Sequence, residues 1–410
     1  MEALIIEWLS LILRWLHLIT GIAWIGASFY FVWLDNSLEN PPDWKKEKGV
    51  AGDLWAFHGG GIYEVAKYKV APPTMPANLH WFKWEAYSTW ITGSLLLCIV
   101  YYVRSDLYLI GADSWLSSPA QAILASILFI VSGFLVYELL VRTIAGKKPL
   151  LFIVLLLCKI AIYCWLAPQL FSDRAAYLHL GALMATIMVA NVFFGIMPAQ
   201  RAFMHSVENG LPIDTLKMQF AKTRSVHNNY FTLPVLFCMI SNHYPFLYGH
   251  EYNWAILFYI IVVTAYARHF FNLRHRGIIK PSILYISLFA SILLVLYTAL
   301  PALKPLLKKA PSTNQVQTST IESIQPEHIT DQAKLMSLIK THCAGCHATY
   351  PSFPGFSAPP LGMSFETLDK ILSAKEQIKT AVSSKYMPLA NITEMKDKER
   401  EAFLTLLDKL

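Results

Sequence analysis

The chain has 410 residues, 55% of them hydrophobic and only 15% charged, with a mean hydropathy of +0.41. That balance excludes an ordinary water-soluble enzyme. The formal net charge of +7 is distributed over the loops between apolar runs, so it carries information about topology and does not point to nucleic acid.

About 20 apolar residues cross a hydrocarbon core of ~30 Å. Eight runs qualify, at about 8–34, 86–103, 119–141, 149–168, 175–197, 231–248, 253–272 and 281–301. The first is not a signal peptide, because it lacks a basic n-region, is too long and has no small-residue cleavage site. The odd-numbered loops carry 17 Lys and Arg, and the even-numbered ones only Arg104 and Arg174. Positive residues concentrate on the cytoplasmic side, so both termini are expected outside. The fold expected is all-α, an eight-helix transmembrane bundle over residues 1–305, followed by a linker at 306–330 and a small α-helical cytochrome c domain at 331–410.

The loop after the first span holds Gly59–Gly61, which permit close backbone approach or a tight turn; with no GK[ST] it is not a phosphate loop. Ionisable groups inside spans are costly and face the bundle interior. With the topology above, His17, His179 and His243 fall in the outer half. A second set falls at the inner side: His58, Glu64, His80, Trp81, Trp84, Glu85, Arg201, Arg224, His227, Asn228, Asn229, Arg268, His269 and Asn272. Gathered together, these would form a cationic, aromatic-lined pocket suited to a flat anion. Lys159, mid-span, requires a partner or must snorkel. Cys98, Cys158, Cys164 and Cys238 lie in spans at no metal-binding spacing and read as packing residues.

The composition shifts after residue 301 to "KKAPSTNQVQTSTIESIQPEH", a linker composition. Beyond it, Leu335, Leu338 and Ile339 form an apolar stripe leading into "CAGCH". Phe365, Leu368, Ile371 and Leu372 indicate a second helix, and Phe403, Leu406, Leu407 and Leu410 a third. So small a domain has a thin core that a covalent haem would fill. CxxCH is the attachment pattern for c-type haem: Cys343 and Cys346 would form the thioethers and His347 the proximal iron bond. Zinc would need two further ligands, and only His342 is close. Met363, Met387 and Met395 are candidate sixth ligands; Met387, in "KYMPLAN", is favoured because Pro388 stiffens its loop.

Several long stretches carry a family resemblance. "HGGGIYEVAKYKVAPP", "LHWFKWEAYSTW", "RAAYLHLGALMATIMVANVFF", "RSVHNNYFTLPVLFCMISNHYP" and "EYNWAILF" resemble the membrane domain of bacterial membrane-bound urate hydroxylases of the PuuD type, which also carry a C-terminal cytochrome c domain. The similarity spans almost the whole chain. It implies an inner-membrane enzyme of purine catabolism that oxidises urate to 5-hydroxyisourate, with electrons leaving through the haem of Cys343, Cys346, His347 and Met387. The acceptor would be a terminal oxidase or a soluble cytochrome. The resemblance assigns no catalytic residues. From location and chemistry, Arg224 and Arg268 are the candidate anion contacts, with His227 the candidate base and His269 beside them.

"RWLHLITGIAWIGASFYF" also resembles the first helix of HemJ-type protoporphyrinogen oxidases, whose matching histidine is linked to a b haem; the match falls on His17. Two other functions follow as alternatives, an anchored electron-transfer cytochrome without urate activity and a HemJ-like porphyrin oxidase. An inner substrate site and an outer c haem lie most of a ~30 Å core apart. Either a non-covalent haem b, held by His17 with His179 or His243, bridges that gap, or the substrate site is in the outer half.

Overall fold

The computed structural model describes residues 2–111, 114–274, 277–308, 326–353, 359–360 and 363–410. The chain is predominantly helical. The long helices are α1 Glu2–Ser37, α2 Trp84–Leu97, α3 Pro119–Leu140, α4 Pro149–Leu170, α5 Asp173–Ala190, α6 Met197–Glu208, α7 Thr215–Ile240, α8 Asn253–Arg274 and α9 Ser282–Lys308. Among the described residues, six helices are long and apolar enough to cross a membrane; they coincide with the first, third, fourth, fifth, seventh and eighth expected spans. The other two expected spans fall on α2 and α7. Helix α2 is short and continues only through a widened turn to Tyr102. Helix α7 starts 16 residues before the expected span, within a polar stretch.

Helix α5 is the axis of the bundle. Its apolar window is 67% buried, against 0% for α1 and 11% for α9, whose apolar side chains face outward as lipid-contacting surface. Small residues let neighbours approach α5 closely. A Cβ on Gly181 would stand 2.6 Å from Cys238 Cβ, and one on Gly133 would stand 2.5 Å from Leu183 Cδ1. Helices α2, α3, α4 and α7 all pack on α5, while α1 pairs with α2, and α8 bridges α7, α4 and α9.

The all-α expectation is corrected at one place. Residues Val50–His58 (β1) and Gly61–Tyr68 (β2) form an antiparallel hairpin, with His58 paired to Gly61. Gly59 and Gly60, at φ +57° and +84°, supply the two positive-φ positions of a two-residue turn. The triple glycine is therefore a hairpin turn. Lys45 bridges Asp53 on β1 to Glu64 on β2 and is itself buried.

The C-terminal part comprises α10 Pro326–His342, α11 Leu368–Ser373, α12 Lys375–Ser383 and α13 Asp397–Lys409. They close on a core of Leu335, Ile339, Ile371, Ile378, Phe403 and Leu407. Most of the expected linker, and Arg276 of the loop-charge count, lie outside the described residues. The part of 306–330 that is described is helical: α9 runs to Lys308 and α10 starts at Pro326.

Candidate functional site

Three groups of side chains bear on chemistry. The first is at the end of α10. Cys343 and Cys346 follow its last turn as free thiols, with Cys346 N donating to Cys343 O at 3.2 Å and His347 N to the same oxygen at 2.9 Å. The His347 ring lies against Phe365 at 4.5 Å, and its Nδ1 donates to Met363 O at 2.8 Å. That bond fixes the tautomer and directs Nε2 away from the Met363 backbone, the arrangement a metal-ligating histidine needs. Burial holds the imidazole below its ordinary pKa, so it is neutral and able to ligate; burial also pushes the Cys343 thiol up to about 12.

Of the three methionines, Met395 is sealed into the domain core, and Met363 has its backbone behind His347. Met387 is half-buried, and its loop is pinned by Arg400 Nη1, which donates to both Val382 O and Met387 O. Arg400 was missed in the sequence. Its signal is a charged residue three before Phe403 and seven before Leu407, on the apolar face of α13. The donor set fits a covalent haem: two thiols, one neutral imidazole with a free Nε2, and a thioether on a pinned loop.

The second group is at the hairpin end of the bundle. It does not form the single pocket expected from the sequence. His58, Trp84 and Arg201 are exposed, and His80 approaches Glu85 at 3.6 Å and the Phe82 ring at 4.6 Å. Trp81 packs on Ala86, Val189 and Val192. Arg224 is fully buried, and both its Nη atoms donate to Glu138, at 2.9 and 2.8 Å, with Nη1 also reaching Asn191 Oδ1 at 3.1 Å. Gly195 makes room for it, since a Cβ there would lie 2.1 Å from Arg224 Cδ. Asn191 opens a widened turn after α5, and its amide links Tyr137 and Asn228. His227 Nδ1 bonds Tyr137 Oη at 2.8 Å, and its ring stacks on Phe152. Both Nη atoms of Arg224 are thus committed to Glu138 and Asn191 and His227 to Tyr137, so the guanidinium fork expected to meet an anion is already engaged, although Arg224 Nε is buried without a partner.

His269 Nδ1 bonds Tyr230 Oη at 2.6 Å. Arg268 is different. Its Nε donates to Asn229 O at 3.2 Å and its guanidinium lies 5.2 Å from the Phe29 ring centre, but its Nη2 is buried without a partner. One turn on, Asn272 Nδ2 and Oδ1 are buried without partners too.

The histidines expected to clamp a second haem do not gather. His179 Nδ1 donates to Ala175 O at 2.7 Å, and Nε2 accepts from Ser126 Oγ at 2.7 Å. With both ring nitrogens engaged and the ring stacked on Phe171 at 4.3 Å, His179 has nothing left for iron. His243 is exposed in a turn past the end of α7. His17 donates from Nδ1 to Thr89 O at 3.0 Å and lies against Gly93. These residues do not fit a bis-histidine haem b. Lys159 finds its partners in two ring faces, Tyr137 at 5.9 Å and Tyr163 at 5.5 Å. It lines a cavity of about 10 Å³, the size of one water.

The third contact joins the two parts of the chain. Tyr386, immediately before Met387, accepts from Arg174 Nη1 at 3.4 Å, and its ring lies 5.4 Å from that of Tyr248.

Among the described residues, six helices long and apolar enough to cross a membrane, one of them the buried axis α5, with a small helical domain at one end, define a multi-pass membrane protein. It belongs to the urate oxidase N-terminal family, whose family model matches residues 3–299. Membership in that family points to an oxidoreductase acting on urate. A search of curated proteins found no match, and neither did a search of solved structures.

Proposed function

We infer that the chain is a urate hydroxylase of the bacterial inner membrane, spanning it eight times with both termini outside, and that electrons leave through a c haem on its C-terminal domain. The reaction balances as urate monoanion plus water giving 5-hydroxyisourate, one proton and two electrons. When bound, the haem supplies a one-electron acceptor, used twice per urate and re-oxidised by a terminal oxidase or soluble cytochrome. Cys343 and Cys346 would attach it, and His347 and Met387 would hold its iron. The observation that carries the reading is the juxtaposition in one chain of a urate oxidase family domain at 3–299 and a CxxCH whose histidine is oriented through Nδ1 by Met363 O.

Arg268 Nη2 and the Asn272 amide at the hairpin end, beside His269, are buried without partners and form the rival location for the substrate contact, against which the outer end of the bundle is tested below. A mere electron-relay cytochrome would need neither those groups nor a bundle of this size.

The test is anaerobic addition of urate to purified protein. The expected result is reduction of its own haem, two haems per urate. Haem that stays ferric with urate but reduces with dithionite would sink the reading. Within the domain, Met387→Ala should lose the low-spin His–Met spectrum while Met363→Ala keeps it; the opposite result would reassign the sixth ligand.

A further inference from the structure

At the end of the bundle under the haem-attachment motif, two arginines face a group of tyrosines. Arg174, in the first turn of α5, has its guanidinium carbon 5.7 Å from the Tyr108 ring centre and reaches Tyr386 Oη through Nη1. Its Nε is buried and has no partner. Tyr101, 3% exposed, also comes within hydrogen-bonding reach of Arg174. Arg14, exposed on the rim of α1, donates from Nε to Ser10 Oγ at 3.1 Å, and the same helix packs on the turn Cys98–Tyr102 that holds Tyr101. Among the described residues neither arginine has a carboxylate partner; the adjacent Asp173 turns to Asn253, accepting from its Nδ2 at 2.7 Å. Arg224, by contrast, has Glu138. A buried guanidinium donor left unpaired on Arg174, with no carboxylate partner and a second arginine on the rim, favours an anion beside it.

The place is also right for electron transfer. The short helix Ser105–Tyr108 touches the turn Leu389–Asn391 that follows Met387, which brings Tyr108 to the haem-attachment end of the domain. A reductant bound here would be close to the residues that would hold the haem, and each of its two electrons could leave, one at a time, without an intervening relay. From Arg268 they would have to cross most of a ~30 Å core, and His179 is not free to hold a relay there.

We propose that Arg14 and Arg174, with Tyr101, Tyr108 and Tyr386, bind the planar purine oxyanion at the boundary between bundle and cytochrome domain. This rests on the urate-oxidising reading above and moves its substrate site to the outer end. Guanidinium forks pair with the ionised purine edge, and the tyrosine rings cover its faces. Tyr386 comes from the haem domain, so the site is complete only when that domain is docked.

The experiment is stopped-flow reduction of the intrinsic haem by urate in the full-length protein, in wild type, Arg174→Gln, Arg174→Lys, Arg14→Gln and Arg268→Gln, with haem content and midpoint potential recorded for each. A charge-assisted hydrogen bond contributes about 1.5–3 kcal/mol, so each Gln variant of Arg14 or Arg174 should raise half-saturating urate roughly 10- to 100-fold. Haem content and midpoint potential should not change, and Arg174→Lys should recover part of the affinity. Arg268→Gln should behave as wild type. If Arg268→Gln alone weakens urate, the substrate is at the hairpin end and the proposal fails, while the function stands. If Arg174→Gln shifts the midpoint potential with half-saturation unchanged, the arginines serve the haem carboxylates instead, and the proposal also fails. Wild type that urate does not reduce overturns the function itself.

Discussion

Replacing Cys343 and Cys346 together by alanine should abolish haem staining on denaturing gels and reduce urate-driven electron delivery to background. The two thiols flank a short turn after α10, held by the bonds of Cys346 N and His347 N to Cys343 O. Without thioethers, only His347 Nε2 and a thioether sulfur remain to hold a haem, and denaturation breaks both bonds. The domain should suffer as well. Its core is a single cluster of about a dozen side chains, and Cys343 is among the partly buried groups packed on it. The bundle does not depend on that cluster, so the variant should still insert in the membrane and purify, at near wild-type yield. Staining that persists in the double variant would refute the attachment site.

The second large effect is at Glu138. Its carboxylate takes both Nη atoms of Arg224, a side chain with 0% exposure, and also accepts from Arg142 Nε at 2.5 Å. Glu138→Ala leaves the guanidinium buried with only Asn191 Oδ1 and the face of Phe220 at 4.5 Å. Stripping one partner from a buried ion pair costs about 3–5 kcal/mol, against a total stability of about 5–15. The variant should melt many degrees below wild type in detergent, with loss of monodisperse protein. Glu138→Ala combined with Arg224→Met, which removes the stranded charge, should recover much of that loss. A single variant that melts with wild type would show the pair to be dispensable. Gly195→Ala tests the same arrangement from the other side, since its methyl would occupy the space of Arg224 Cδ.

The long apolar runs were legible because spans are set by hydrocarbon thickness, a property of the solvent. The β-hairpin was not, although its turn was in plain sight. "HGGGIY" carries the two positive-φ glycines, but the flanking β1 has the burial pattern of a half-exposed strand, with little alternation to read. At the site, CxxCH is local in sequence and legible for that reason. The partner of Arg224 is 86 residues away, at the tail of an apolar run in which one glutamate looked incidental. Lys159 rests on ring faces rather than on a charge, a pairing that only the packing of α3 against α4 reveals. Arg174 was counted as a loop charge and Arg14 was given no role, because nothing in the chain order announces that the fifth helix and residue 386 meet.

That meeting bears on kinetics. Tyr386 packs against the bundle core while the chain itself ties the domain to α9. Donor and acceptor therefore meet within one molecule, and their encounter does not depend on protein concentration. Transfer of the first electron to the chain's own haem should be first order and indifferent to dilution of the protein, whereas the second must wait for re-oxidation or reach the haem of another molecule. Discharge to the next carrier is bimolecular and must use another face, because the surface around Tyr386 is already engaged. Turnover should accordingly depend on the concentration and ionic strength of the acceptor pool, while reduction of the tethered haem should not.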